Sequence, residues 1–363
     1  MNFENLINTP TKRGVLLNLI KNKYSTRVEL AKQLDVTTAA MTNISKELID
    51  NDILVESGEI QDGKVGRRQK RLTLSSSAFY SIGLEITLTD ARLIFINAKL
   101  SIIFEKTWSF EIFDEKVLNS IIEVINKVCL KIDRSKILGV GLLLQGAVQN
   151  GGSISMPIKD IKQKLEFSIN QEVFICNNIR GLAIVESFLE KSTDNFLLVK
   201  YGPGIGGVIS VNGNVLEGKH NKAGEIGHIE WNPNSKYTCP ICHKRGCLES
   251  EIHFRNLNSP IPYTNENNSV NKKKDILKSN RELLNKYIFE LGKAISFAVE
   301  LIDPDSLIIA GLVFTDDSMY KYLTDVVTKF SNSICEEDIR RINNYEEKSS
   351  KASAIIVLSE KLK

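Results

Sequence analysis

Three cysteines, Cys239, Cys242 and Cys247, fall within nine residues in the stretch CPICHKRGCLE. Thiolates at this spacing are soft donors for a divalent metal. Zinc in a structural site takes four sulfur or nitrogen ligands in a tetrahedron. A histidine would complete the set: His228, at the end of GEIGH, is the first choice, and His243, inside the cysteine stretch, is the competitor. With four such ligands and no open position, Zn2+ would brace the fold rather than catalyse. Three unconnected buried cysteines are the bland alternative, but a CxxC followed by a third cysteine at this distance is seldom accidental. Cys129, Cys176 and Cys335 are scattered, and the whole set suits a reducing compartment.

A second group of residues suits nucleic acid. A helix entering the major groove needs small and hydrogen-bonding side chains at its exposed N-terminal end, so that the backbone approaches base edges. Thr37, Thr38, Ala39, Thr42, Asn43 and Lys46 meet that need. Arg27 and the run Lys64, Arg67, Arg68, Lys70, Arg71 suit phosphate contacts, and an arginine in the minor groove is a further option. The net charge is +3, and residues 1–75 carry all of it, with 12 basic side chains against nine acids; the remainder balances 35 against 35. That asymmetry points to a polyanion partner for the N-terminal segment, which together with these helix residues reads as double-stranded DNA. A helical pair with a solvated charged face is the plain alternative. A third feature, YGPGIGGVISVNG at 201–213, either cradles a phosphate or is a tight turn between strands.

Periodicity predicts the elements that position these groups. Gly14–Lys21 carries Val15, Leu16, Leu19 and Ile20 at helical spacing. Thr26 with Glu29 has the spacing of a capping box for a second helix, running to about Leu34. Asp35–Val36 makes a break, and Thr37 caps a third helix with Ala40, Met41, Ile44 and Leu48 on one face. Helix, short turn, helix, followed by strands at Ile53–Val55 and Gln69–Leu74, reads as a helix-turn-helix with a wing. Beyond Phe79 come a strand meander (79–110), a helix (116–132), strands at 137–144 and 172–176, and a helix at 181–191. A second strand series (195–201, 208–211) repeats this layout, which suggests two related α/β halves. A long helix (283–302) and a last strand (306–311) follow, and the polar stretch 258–280 reads as a loop. Glu336–Lys351 reads as a solvated helix joining the last lobe.

At 363 residues, 42% hydrophobic and 25% charged, the chain is long enough for two or three domains and a sizeable core. Dominant disorder, a collagen repeat and a disulfide scaffold are excluded. Apolar runs such as Ile137–Leu144 are too short to span a bilayer, and MNFENLINTPTKR has no apolar signal core. The expectation is a cytoplasmic protein with no membrane partner.

Residues 10–315 resemble the ROK family (repressors, open reading frames and sugar kinases), in particular its transcriptional regulators of the xylose-repressor type. The pieces that carry the resemblance are GEIGH at 224–228, GCLE at 246–249, GPGIGG at 202–207, and the winged helix followed by GRR at 66–68. The resemblance implies an α/β fold, with an N-terminal winged helix-turn-helix followed by an actin-like, ribonuclease H-type two-lobed domain. The implied division is 1–75 for DNA binding, 76–190 for the first lobe, and 191–363 for the second lobe with the zinc site, the C-terminal helices packing back on the first.

The resemblance also implies that Glu225, His228 and Glu249 contact sugar hydroxyls, with His228 ligating zinc through its other ring nitrogen. Asn177, Asn178 and Gly146 complete the implied ligand set. Departures from the family are equally informative. The kinases' catalytic Asp aligns with Asn178, and an amide cannot take a proton from an attacking hydroxyl. The first phosphate loop aligns with Glu85–Thr89, which lacks its glycines and its lysine. Pro203 stands where the family often has Thr, and Val208 replaces a Gly. Where the family commonly has CxC before a glycine-containing turn, this chain has one extra residue, with His243 at the glycine's place. The implied function is a non-enzymatic, sugar-responsive DNA-binding regulator, a repressor of carbohydrate-utilisation genes. It would act as a homodimer or dimer of dimers on a two-fold operator. The alternatives are a sugar kinase with an appended DNA-binding domain, and a regulator responding to a sugar phosphate or a protein partner.

Overall fold

The computed structural model describes residues 3–60, 69–146, 148–149, 152–153, 160–190, 194–202, 204–253, 279–342 and 345–362. Its chain forms two compact units. One comprises Met1–Gly181, Phe188–Glu190 and Ser349–Lys363; the other comprises Leu182–Ser187 and Lys191–Lys348. Among the described residues, no helix is long and apolar enough to cross a membrane.

The first unit opens with α1 (Phe3–Leu6), α2 (Pro10–Asn22), α3 (Arg27–Gln33) and α4 (Thr38–Asp50). A short helix such as α1 has no period to read; Phe3 holds it by an edge-to-face contact with Phe79, at 5.2 Å between ring centroids. The predicted capping box is present. Glu29 N donates to Thr26 Oγ1 at 3.2 Å, and Thr26 N donates to Glu29 Oε2 at 2.7 Å. Asp35 makes the break in the left-handed region at φ 51°, and Thr37 Oγ1 accepts from Ala40 N at 3.1 Å to start α4. Strands β1 (Ser25–Thr26), β2 (Leu54–Ile60) and β3 (Gln69–Leu74) form an antiparallel sheet in the order β1-β3-β2.

A five-stranded sheet follows, built from β4 (Tyr80–Ile86), β5 (Asp90–Asn97), β6 (Ile102–Ser109), β7 (Ile137–Leu144) and, after a small ribbon of β8 (Val148–Gln149) and β9 (Gly152–Ser153), β10 (Val173–Asn177). Its order is β10-β7-β4-β5-β6, with β4, β5 and β6 antiparallel and β7 and β10 parallel to β4. Amphipathic α5 (Glu115–Cys129) and α6 (Ile161–Ile169) bury Leu118, Ile121, Ile125, Ile161 and Leu165 in the core of this sheet. Helix α7 (Asn178–Leu189) starts three residues earlier than periodicity predicts, because Asn177 Oδ1 accepts from Arg180 N at 2.8 Å and caps its first turn.

The second unit repeats the plan. Strands β11 (Phe196–Tyr201), β12 (Ile205–Val211), β13 (Asn214–Val215), β14 (Ser306–Ala310) and β15 (Ile339–Arg341) have the order β13-β12-β11-β14-β15. Here too an antiparallel hairpin precedes two parallel strands beside the first. Short α8 (Leu248–Glu251) precedes α9 (Arg281–Ile302) and α10 (Asp317–Phe330), and the two longer helices pack on this sheet through Ile288, Leu291, Ile295, Leu323 and Val327. The glycine-rich stretch makes the turn between β11 and β12, where Gly202 N donates to Gly204 O at 2.8 Å.

The C-terminal reading is corrected. Glu336–Lys351 is not a solvated helix: it contains edge strand β15 and the start of α11 (Tyr345–Leu362). From Ser349 onward α11 belongs to the first unit, and Ala352–Leu358 are buried. Two glycines in register, Gly83 and Gly141, leave a flat patch on the first sheet where this helix lies. A Cβ on Gly141 would sit 1.8 Å from Ser353 O, and one on Gly83 would sit 2.5 Å from Ala354 N. Ser81 Oγ donates to Ala354 O at 2.6 Å beside them. Gly141→Ala forces backbone apart at this contact, and we expect it to cost about 1–3 kcal/mol in urea unfolding.

Candidate functional site

His228, Cys239, Cys242 and Cys247 converge, with one donor atom from each and all four atoms within 4.8 Å of one another. His228 Nδ1 lies 3.8 Å from Cys239 Sγ and 3.9 Å from Cys247 Sγ. Zinc–sulfur bonds of about 2.3 Å and zinc–nitrogen bonds of about 2.0–2.1 Å place tetrahedral neighbours roughly 3.5–3.8 Å apart, so the four donors fit such an ion. The competitor is excluded: His243 is exposed and lies outside the cluster. Its φ of 59° explains why a glycine would serve at that position. Ile241 N donates to Cys239 Sγ at 3.4 Å, a bond that favours the thiolate. Burial works the other way and pushes the Cys239 thiol up to about 12, so a cation is what would turn the cluster into thiolates.

The cluster is held by backbone. Trp231 N and Asn232 N both donate to Gly246 O at 2.8 and 2.9 Å, and Leu248 N donates to Ile229 O at 3.1 Å. Gly246 needs its φ of 64° and its missing side chain, because a Cβ there would meet Asn232 O at 1.9 Å. The GEIGH segment lies flat on β12, where a Cβ on Gly207 would fall 2.4 Å from Gly224 O. From this turn His228 presents Nδ1 to the thiols, while its Nε2 lies 3.9 Å from Glu225 Oε2. The imidazole thus stands between the cysteine cluster and a carboxylate that is partly exposed. Glu249, two residues after Cys247, accepts from Ile205 N at 2.8 Å through Oε2, which ties α8 to the glycine-rich turn.

The other expected ligand contacts stand in the first unit. Asn177 pairs with Leu144 in the sheet, so Asn177, Asn178 and Gly146 gather at one end of β7 and β10. Ligands of open α/β sheets commonly lie at the carboxyl ends of parallel strands. Asn177 Oδ1 already serves as the α7 cap. Asn178 begins α7, and Gly146 has a φ of 85°.

On α4, Met41, Ser45 and Leu48 face inward, while Thr38, Ala39, Thr42, Asn43 and Lys46 are exposed at helical spacing on the opposite side. Thr37 caps the helix and is exposed as well. Arg27 is not a free cation. Its Nε donates to Ser45 Oγ at 2.7 Å and its Nη2 to Glu56 Oε1 at 2.8 Å. Glu56 also takes Lys70 Nζ at 2.5 Å, and Lys70 and Arg27 together hold its carboxyl below the usual carboxylate range. One network therefore ties α3, α4, β2 and β3 together, and sequence reasoning missed Ser45 and Glu56 as its members. Arg71 is occupied too, over the Tyr24 ring at 4.6 Å. Lys64, Arg67 and Arg68 lie outside the described residues.

The chain is 25% identical over 324 residues to the DNA-binding transcriptional dual regulator NagC of Escherichia coli (strain K12), covering 81% of this chain and 78% of that one. It is 26% identical over 277 residues to the xylose repressor of Caldicellulosiruptor bescii, covering 72% and 68%. In structure it is similar to a ROK family transcriptional regulator, a homologue of the Escherichia coli MLC protein, with a TM-score of 0.72 at 20% identity over 97% of this chain and 96% of that one. The ROK family model matches residues 81–356, and the chain belongs to the ROK family.

Proposed function

We propose that this chain is a sugar-responsive transcriptional repressor, with residues 1–75 as a winged helix-turn-helix and the two repeated α/β lobes as its sugar sensor. The observation that carries the reading is the exposed stripe Thr38, Ala39, Thr42, Asn43 and Lys46 on the side of α4 away from buried Met41, Ser45 and Leu48. Small and amide side chains there suit base edges in the major groove. Likeness to a regulator over 97% of this chain supports it, since that span takes in the N-terminal helices. The partner is a double-stranded operator, read by a dimer, in the cytoplasm.

His228, Cys239, Cys242 and Cys247 would hold Zn2+, whose charge stabilises the thiolates and fixes the imidazole. His228 Nε2, Glu225 and Glu249 then offer hydrogen bonds to adjacent sugar hydroxyls. Fixed carboxylates and amides discriminate between epimers because a misplaced hydroxyl leaves a polar group unpaired. No phosphoryl transfer is expected. Asn178 has no carboxylate with which to take the proton of an attacking hydroxyl. Release of DNA requires the sugar to bind the non-DNA-binding state more tightly, and a 100-fold change in operator affinity corresponds to about 2.7 kcal/mol of coupling.

Two measurements test these assignments. The activating sugar at about 100 times its Kd should stabilise the wild-type protein by about 2.7 kcal/mol in thermal unfolding. Glu225→Ala should lose that gain while keeping its metal, and an unchanged sugar response would refute the site. For the DNA-reading unit, Arg27→Gln breaks the tie to Ser45 and Glu56 and should lower stability by about 1–2 kcal/mol. Operator affinity should fall with it at an unchanged salt dependence. A direct phosphate contact would instead reduce the salt slope by about 0.9.

A further inference from the structure

Between His228 and Cys239 the chain runs through residues 229–238, and the four donors can close on an ion only while this limb keeps its place. Trp231 fastens its near end to α9, with Nε1 donating to Glu290 Oε2 at 2.8 Å. The rest is held by Glu251, the half-buried last residue of α8, through both carboxylate oxygens. Asn232 Nδ2 donates to Oε2 at 2.9 Å, and the Ser235 hydroxyl donates to Oε1. Ser235 passes the hold along the limb: its Oγ accepts from Tyr237 N at 2.9 Å, and its N donates to Asn232 O at 3.1 Å. Ser235 is buried against Gly246, where a Cβ would lie 2.8 Å from its own. Glu251 N donates to Cys247 O at 3.2 Å, so one helical turn fixes this acid to a metal-ligating residue.

Glu251, Asn232 and Ser235 are not donors to an ion, so their effect on its binding comes through the metal-free chain. A site already assembled binds with its intrinsic affinity, whereas one assembled in a tenth of the molecules binds about tenfold more weakly. Burial does not assemble this limb, because residues 233, 234 and 236–238 are exposed. Resting on the reading of the cluster as a zinc site, we infer that Glu251 is the positioning residue that keeps the metal loop assembled before the ion arrives, by bridging Asn232 to Ser235. An acid near a dication also attracts it, and substitution separates the two effects. Glutamine keeps an amide oxygen for Asn232 Nδ2 and amide hydrogens for Ser235 Oγ, so the bridge survives and the charge does not.

The test measures the zinc affinity of the full-length protein by competition with a chromophoric chelator, and amide hydrogen exchange over 232–246 with and without zinc. Glu251→Ala should weaken zinc binding by at least about tenfold, and Glu251→Gln by less than about threefold. Asn232→Ala with Ser235→Ala should match Glu251→Ala, and all three substitutions together should lose no more than either, since each cuts the same bridge. In the metal-free wild-type protein the Ser235 and Tyr237 amides should stay protected. In metal-free Glu251→Ala they should exchange at least about tenfold faster and recover when zinc is added, a reversal that a misfolded lobe does not give. Wild-type affinity in Glu251→Ala, or an equal loss in Glu251→Gln, overturns the inference. A wild-type protein that takes up no zinc overturns the reading of the cluster itself, and the inference with it.

Discussion

Cys247→Ser is expected to lose its bound metal and to unfold well below the wild-type protein. Cys247 is fully buried and starts α8, the helix that carries Glu249. Its donor atom faces His228 across 3.9 Å, and the backbone around it is zipped to residues 229–232. The loop from Asn232 to Gly246 buries little apolar surface of its own; among its described side chains, Ile241 and Tyr237 are exposed. Without an ion, its order depends on a few backbone hydrogen bonds and on the Asn232 and Ser235 side chains held by Glu251. Structural zinc is worth about 10–16 kcal/mol in finger peptides, so a loss on the order of 5 kcal/mol is expected here, where the rest of the lobe remains folded. Chelation of the wild-type protein should give the same lowered melting temperature, and sugar binding should vanish with it because His228 loses its anchor. Metal analysis and thermal unfolding decide the matter: a Cys247→Ser protein holding one equivalent of metal at the wild-type melting temperature would contradict it.

The next largest effect is expected at Glu186. This carboxylate is completely buried in α7, yet it holds two cations, Arg340 at 2.8 Å and Lys348 at 2.6 Å. Glu186→Gln keeps the shape and removes the buried charge that both cations share. Breaking a buried pair in this way costs about 3–5 kcal/mol. Arg340 is about a third exposed and partly screened, whereas Lys348 is only 10% exposed, so the lower end of that range is expected. Denaturant unfolding of Glu186→Gln measures it. Glu186→Met combined with Arg340→Met and Lys348→Met should return part of the loss, since an apolar cluster needs no counterion. A change below about 0.5 kcal/mol for Glu186→Gln would mean that the cluster does not contribute to the fold.

Local chemistry was legible from residue types; long-range packing was not. The capping box of Thr26 and Glu29, the Thr37 cap and the Asp35 break involve atoms within a few residues of each other, and each formed as spaced. The three cysteines likewise declare themselves by proximity in the chain. The choice between His228 and His243 depended on how GEIGH lies against β12, which spacing alone leaves open. The tie from Arg27 to the rest of the DNA-reading unit was illegible because its partners are distant: Ser45 lies 18 residues on and Glu56 29. Glu186 had no signal at all, with its cations 154 and 162 residues away. The C-terminal helix, anticipated by the family resemblance alone, was illegible in the residue pattern for a simpler reason. Ala352–Leu358 is buried all round, so it lacks the polar face that makes a helix periodic, and the glycines that receive it stand more than 200 residues earlier.

The most direct test is fluorescence anisotropy of the purified protein on DNA from upstream of its own gene. The titration is run at fixed salt and repeated with a panel of pentoses, hexoses and their phosphates. The predicted result is binding at least 10³-fold tighter than to random DNA of the same length, released about 100-fold by one sugar and not by its epimers. Equal affinity for that DNA and for random DNA, at every salt concentration and with every sugar, would contradict the assignment of this chain as a sugar-responsive repressor.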